Sequence, residues 1–144
     1  PSMRQRIQGF LMYRYDLEGF LQWGYNFYFA QYSLYPVNPW LTSSADGFVQ
    51  NGDAFIVYPG PEGCIPSLRL CVMNESLQDV RALQALEAKW GRERVLAWLE
   101  EGLEAPLSMK RYPRDPQWLL RKLPSAQSMT GSSACTVSSA MAST

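Results

Sequence analysis

The chain has 144 residues, the length of one domain, and is 47% hydrophobic, which excludes disorder by composition. Thirteen basic residues balance thirteen acidic ones, so no net field steers it toward nucleic acid or an anionic membrane. Histidine is absent, which excludes Ser-His and Cys-His catalysis and histidine-ligated metals within this chain.

The chain opens on Pro1 rather than Met, and an upstream portion is expected to be missing. Its start is basic and polar, without the apolar core of a signal peptide. Met3, Ile7, Phe10 and Leu11 recur at helical spacing between Arg4, Arg6 and Arg14, which predicts an amphipathic helix over 3–15. Asp16-Leu-Glu-Gly19 reads as a turn. Gly19 to Trp23 is a short apolar run of the kind buried in a parallel sheet. Past it come Tyr25, Asn26 and Tyr28, so aromatic and amide groups gather where a strand opens into a loop. A core has little use for an asparagine between two rings, whereas a sugar cleft uses both.

Residues 25–52 keep no steady period, and a loop of that length in a compact domain is usually functional or disordered. Its aromatics, among them Phe27, Phe29, Tyr32, Tyr35 and Trp40, argue against disorder. Asp53 to Tyr58 is the second predicted strand, closed by Pro59-Gly60 and Pro61-Glu-Gly63. A long helix is expected over 66–90, with Met73, Leu77, Val80, Leu83, Leu86 and Trp90 along one side and Gly91 past its end. A helix over 92–101, stopped by Gly102, and a last one over 116–122, begun by Asp115-Pro116, complete the elements.

Residues 123–144 change character: from Ser125 onward no residue is charged and most are small, which predicts a flexible tail foreign to the fold. The domain reading is therefore 1–122 and 123–144. Cys64, Cys71 and Cys135 are odd in number and lack metal-like spacing, so no native disulfide and a reduced, cytoplasmic compartment are expected. No apolar run reaches the about 18 residues that span a bilayer.

Two apolar strands among helices indicate an α/β layer with parallel strands, yet two strands do not make a stable sheet. The runs "EGFLQWGYNFY", "SLYPVNPW", "GDAFIVYPGPEGCIPSLRL" and "NESLQDVRALQALE", in that order, resemble the carboxyl-terminal part of glycoside hydrolase family 123 over about residues 3–121. The resemblance implies a C-terminal fragment of a (β/α)8 TIM barrel, with Phe20–Trp23 and Asp53–Tyr58 as its last two parallel strands and 66–90 as the closing helix. It also implies retaining hydrolysis of N-acetyl-hexosaminides, in which the substrate's acetamido oxygen attacks the anomeric carbon. An adjacent Asp-Glu pair would orient that group and serve as general acid/base. No Asp-Glu dipeptide occurs in the chain, and its adjacent acids, Glu100-Glu101, fall on a late helix. The chain alone is therefore expected to be inactive and to use no cofactor.

Strand ends face the active site in barrel enzymes. Trp23 is thus a candidate to stack on a sugar, against ordinary barrel packing. Tyr25 and Asn26 are candidates to hydrogen-bond it, against loop pinning. Tyr58 ends the second strand and shares the claim. Arg69, a cation in the first turn of a helix, calls for an anionic partner, either a pocket carboxylate or a structural ion pair. Glu75, Asp79 and Arg81 read as a polar surface of the helix. The expected partners are an amino-sugar glycoside and the missing barrel portion or a second copy, with neither nucleic acid nor membrane. A non-catalytic carbohydrate-binding module and an orphan fragment without ligand are the other classes.

Overall fold

A computed structural model describes residues 3–122, and these form a mixed α/β arrangement of several helices and one two-stranded antiparallel sheet. The chain divides into two compact units, Pro1–Val80 and Arg81–Thr144.

The first unit begins with α1 (Met3–Arg6) and α2 (Gln8–Arg14), which bury Ile7, Phe10, Leu11, Met12 and Tyr13. Ile7 separates them but keeps helical dihedrals, so the expected single helix survives with one irregular residue. It ends in a Schellman turn: Leu17 N–H bonds the Met12 carbonyl, Asp16 N–H bonds that of Tyr13, and Asp16 adopts φ +55°. Gly9 lets α2 approach the later long helix. A Cβ built there would stand 2.0 Å from the Ser76 carbonyl oxygen.

The sheet is a hairpin of β1 (Val57–Gly60) and β2 (Gly63–Pro66), with Val57 opposite Pro66 and Gly60 opposite Gly63. This corrects the expectation of two parallel strands. Gly19 to Trp23 runs outside any ladder, and the link between the two expected segments is an isolated antiparallel bridge, Asn26 with Phe55. A parallel pair is stabilised by neighbours and by cover on both faces, and neither is present around this run among the described residues. Pro59 does not stop β1, because both strands of a two-stranded hairpin are edges, where a missing N–H is tolerated. The reversal instead uses Pro61-Glu62.

The segment 25–52 contains no α-helix among the described residues, only a short 3-10 turn at Gln31–Ser33. Beneath it Ala45, Ala54 and Phe55 form a buried cluster, with Phe27, Tyr28, Val37, Val49 and Tyr58 packed against it. Then α3 (Leu68–Trp90) begins where Ser67 Oγ accepts the Leu70 N–H at 3.3 Å. In its first half the buried positions are Val72, Ser76 and Asp79, not Met73, Leu77 and Val80. A small residue sits opposite Gly9, and Asp79 is paired. Its carboxylate takes both Nη1 and Nη2 of Arg6, the latter at 3.1 Å, while Arg6 Nε reaches Glu75 at 3.4 Å. Asp79 therefore lies inside the first unit and not on a solvated face.

The second unit continues α3 past Val80, then α4 (Arg92–Glu100) and α5 (116–122), burying Leu83, Leu86, Val95, Leu99, Leu107, Trp118 and Leu119. Gly91 (φ +81°) and Gly102 (φ +78°) stand at the boundaries the sequence marks, and Asp115 Oδ1 accepts the Gln117 N–H at 2.9 Å to cap α5. The expected tail, residues 123–144 with Cys135, lies outside the described residues. Cys64 falls in β2 rather than in a loop, Cys71 lies in α3, and both are free and exposed.

Candidate functional site

Gly24 joins the two segments that carry the candidate residues. A Cβ there would meet the Asp53 carbonyl oxygen at 2.3 Å and Ala54 Cα at 2.7 Å, so only a bare backbone lets 22–27 lie against 53–57. The contact is then stitched by hydrogen bonds. Gln22 Nε2 donates to the Asp53 carbonyl (3.2 Å), and Phe27 N–H to that of Ala54 (3.1 Å). The Tyr25 carbonyl accepts from both Ile56 N–H (2.9 Å) and Val57 N–H (3.1 Å). Tyr25 and Asn26 present exposed side chains beside this seam.

Trp23 departs from the seam. Its half-exposed ring meets Phe27 and Phe48 edge-on at 5.6 and 5.8 Å. No hydrogen bond or ring contact joins it to Tyr58 or Arg69 among the described residues.

Tyr58 and Arg69 do come together. Arg69 Nη2 donates to the Phe55 carbonyl at 2.6 Å and to the Tyr58 hydroxyl at 2.9 Å, and its guanidinium carbon lies 5.9 Å from the Tyr58 ring centre. The anionic partner expected for Arg69 is replaced by two neutral oxygens. Its Nε is buried without a hydrogen-bond partner, on the side where Gly52 offers bare backbone. Gly52 has φ +86°, and a Cβ there would stand 2.6 Å from Arg69 Nη1. The loop glycine thus makes room for the guanidinium.

Two further aromatics complete the cluster. Tyr28 donates its hydroxyl proton to the Val57 carbonyl at 2.9 Å, and its pKa is raised, first by burial and then by neighbouring Cys64, Tyr25 and Tyr58. Trp40 lies 4.8 Å from the Tyr58 ring at a tilt of 37°, with 58% of its surface exposed. Asn38 holds this loop residue in place, its Oδ1 accepting the Trp40 N–H at 2.9 Å. Sequence reasoning left Trp40 unassigned among the loop aromatics. The Asn38-Pro39 turn before it is the signal that fixes its backbone.

The cluster offers an exposed indole, a phenol and a guanidinium, but no carboxylate for proton transfer. Among the described residues no group of three or more His, Cys, Asp or Glu could hold a metal ion, and no helix is long and apolar enough to cross a membrane. An open cavity of about 700 Å³ lies within the second unit, lined by Glu104, Lys110, Arg111 and Tyr112 among others. None of the sequence candidates lines it. The family model described as glycoside hydrolase 123, catalytic domain, matches residues 1–86 and so takes in all five candidates. No curated protein matches the chain.

Proposed function

The chain belongs to glycoside hydrolase family 123, and from that membership we propose that it is the carboxyl-terminal part of a barrel domain that hydrolyses N-acetyl-hexosaminides. In this reading it lines the sugar pocket with Tyr58, Arg69, Tyr25 and Asn26, while the Asp-Glu pair comes from the rest of the domain. Hydrolysis proceeds by attack of the substrate's acetamido oxygen on the anomeric carbon, with the remote Glu as acid/base. Residues 1–122 are the domain portion and 123–144 an appendage.

The bond from Arg69 to the Tyr58 hydroxyl carries the reading, because it places a polar pair beside an exposed indole, the combination a sugar needs. The run from Glu18 to Gly24 supports the barrel part. Its backbone makes no hydrogen bond among the described residues, while Phe20, Leu21 and Trp23 stay exposed, as in a strand whose sheet neighbours lie elsewhere.

Two measurements on the purified chain test the proposal. Titration with N-acetylgalactosamine, followed by amide NMR, is expected to give saturable binding. An aryl N-acetylgalactosaminide is expected to release no nitrophenol, and turnover near ~1 per second, ordinary for an enzyme, would refute the assignment of catalysis to missing residues.

A further inference from the structure

Resting on the sugar-pocket reading above, we infer that Trp40, not Trp23, is the stacking platform, and that Arg69 is a positioning residue that turns the Tyr58 hydroxyl into an outward hydrogen-bond donor. Arginine has N–H donors and no acceptor. In the bond between Arg69 Nη2 and Tyr58, the phenol oxygen is therefore the acceptor. The two N–H bonds of Nη2 are both spent, one on Tyr58 and one on the Phe55 carbonyl. Tyr58 keeps its own O–H proton, and no acceptor for it lies within hydrogen-bond distance among the described residues. Tyr28 is the contrast: its proton is committed to the Val57 carbonyl. Of the two hydroxyls, only that of Tyr58 has a proton left for an incoming oxygen.

Trp40 packs against the ring that carries that proton. Its ring centre is 4.8 Å from that of Tyr58, and more than half its surface is open. An indole face takes the C–H face of a sugar, and a neighbouring donor then selects an oxygen on its edge. Trp23 has no such neighbour, since Phe27 and Phe48 surround it with carbon. The ligand class is accordingly a pyranose that offers an acceptor oxygen at the rim of its apolar face.

The test is the same NMR titration with N-acetylgalactosamine, run on the full chain, four single variants and the Arg69→Lys, Tyr58→Phe double variant. Trp40→Ala is expected to raise Kd by about tenfold or more, and Tyr58→Phe by about tenfold, the size of one lost hydrogen bond. Trp23→Ala should leave Kd within about twofold, as for a group away from the ligand. Arg69→Lys should weaken binding in the wild-type background and add nothing once Tyr58 is Phe, an effect that loss of fold would not mimic. Unchanged binding in Trp40→Ala, or losses from Arg69→Lys and Tyr58→Phe that simply add, overturns the inference while leaving the sugar-pocket reading standing. Failure of the wild-type chain to bind the sugar overturns that reading and the inference with it.

Discussion

Arg6 is paired with carboxylates, whereas Arg69 is paired with neutral oxygens, although both guanidiniums bond within the first unit. Arg6 crosses from α1 to α3 and is 14% exposed, and its partner Asp79 is 3% exposed. Both carboxylate oxygens of Asp79 are taken by Arg6, so the pair joins the two elements and leaves the buried carboxylate no oxygen without a partner. Arg69 instead takes a carbonyl and a hydroxyl, and the hydroxyl retains a proton. One arginine closes a structural contact and the other leaves a polar group open. Neighbours, rather than residue type, separate a fastening from a site.

The largest expected effect breaks the fastening. Arg6→Ala leaves the Asp79 carboxylate buried without its counter-ion, and about 3–5 kcal/mol of stability is expected to be lost. The midpoint of urea unfolding reads this directly, and a loss below about 1 kcal/mol, the level of a surface pair, would place Asp79 in contact with water. Replacing both partners, Arg6→Leu with Asp79→Leu, should cost less than Arg6→Ala alone, since no unpaired charge remains.

The next effect probes the Arg6–Asp79 fastening by pH. Burial raises the Asp79 pKa from 3.8 to about 6, outweighing the pull of Arg6. The folded state therefore holds this proton more tightly than the unfolded chain does. The stability due to this group is highest below the unfolded value near 4, declines as pH rises to about 6, and is level above that. The decline amounts to about 3 kcal/mol at 1.36 kcal/mol per pKa unit. Urea midpoints from pH 4 to 7 for the wild type, minus those of Asp79→Asn, should show it. A difference that grows with pH would mean that Arg6 dominates and that the carboxylate titrates low.

Helices were more legible in the sequence than either arginine site. Ser67, Gly91, Gly102 and Asp115 mark helix ends through their own side chains or lack of one, so local rules suffice. The Arg6–Asp79 pair spans 73 residues, and nothing near Asp79 shows that a cation will cover it. A polar residue on a helix reads as surface until its remote partner is known. Arg69 misled for a related reason, because one of its acceptors is the Phe55 main-chain carbonyl, which no side-chain pattern reveals. The expected parallel strands failed at Gly19 to Trp23, where an apolar run specifies burial but not the neighbours that would supply it. Arg69 keeps its expected place in the first turn of a helix, whereas Tyr58, expected at the end of a strand over 53–58, is the second residue of β1.

A smaller effect sharpens the role of the loop at the second arginine. Gly52→Ala forces a side chain into φ +86° and places its Cβ 2.6 Å from Arg69 Nη1. A loss of about 2 kcal/mol is expected, part from the left-handed backbone and part from displacing the guanidinium. In an Arg69→Ala background the second part vanishes, so the cycle should show coupling of about 0.5 kcal/mol or more. Strict additivity would show that the loop and the arginine do not touch.

The smallest expected effect on stability falls on the ring with the largest expected effect on binding. Trp40 is 58% exposed, and among the described residues its one ring contact is the tilted one with Tyr58. Its removal uncovers little, because most of the indole already faces solvent and its backbone is held separately by Asn38 Oδ1. Trp40→Ala should therefore cost about 0.5 kcal/mol, the low end for an aromatic pair. Trp23→Ala loses edge contacts to both Phe27 and Phe48 and should cost about 1 kcal/mol, so the two tryptophans rank in opposite order for stability and for sugar binding. Urea midpoints of the two variants, measured beside their sugar titrations, check that inversion. If Trp40→Ala proved the more destabilising, the ring would be a loop anchor, and its loss of binding would follow from a displaced loop rather than from a missing platform.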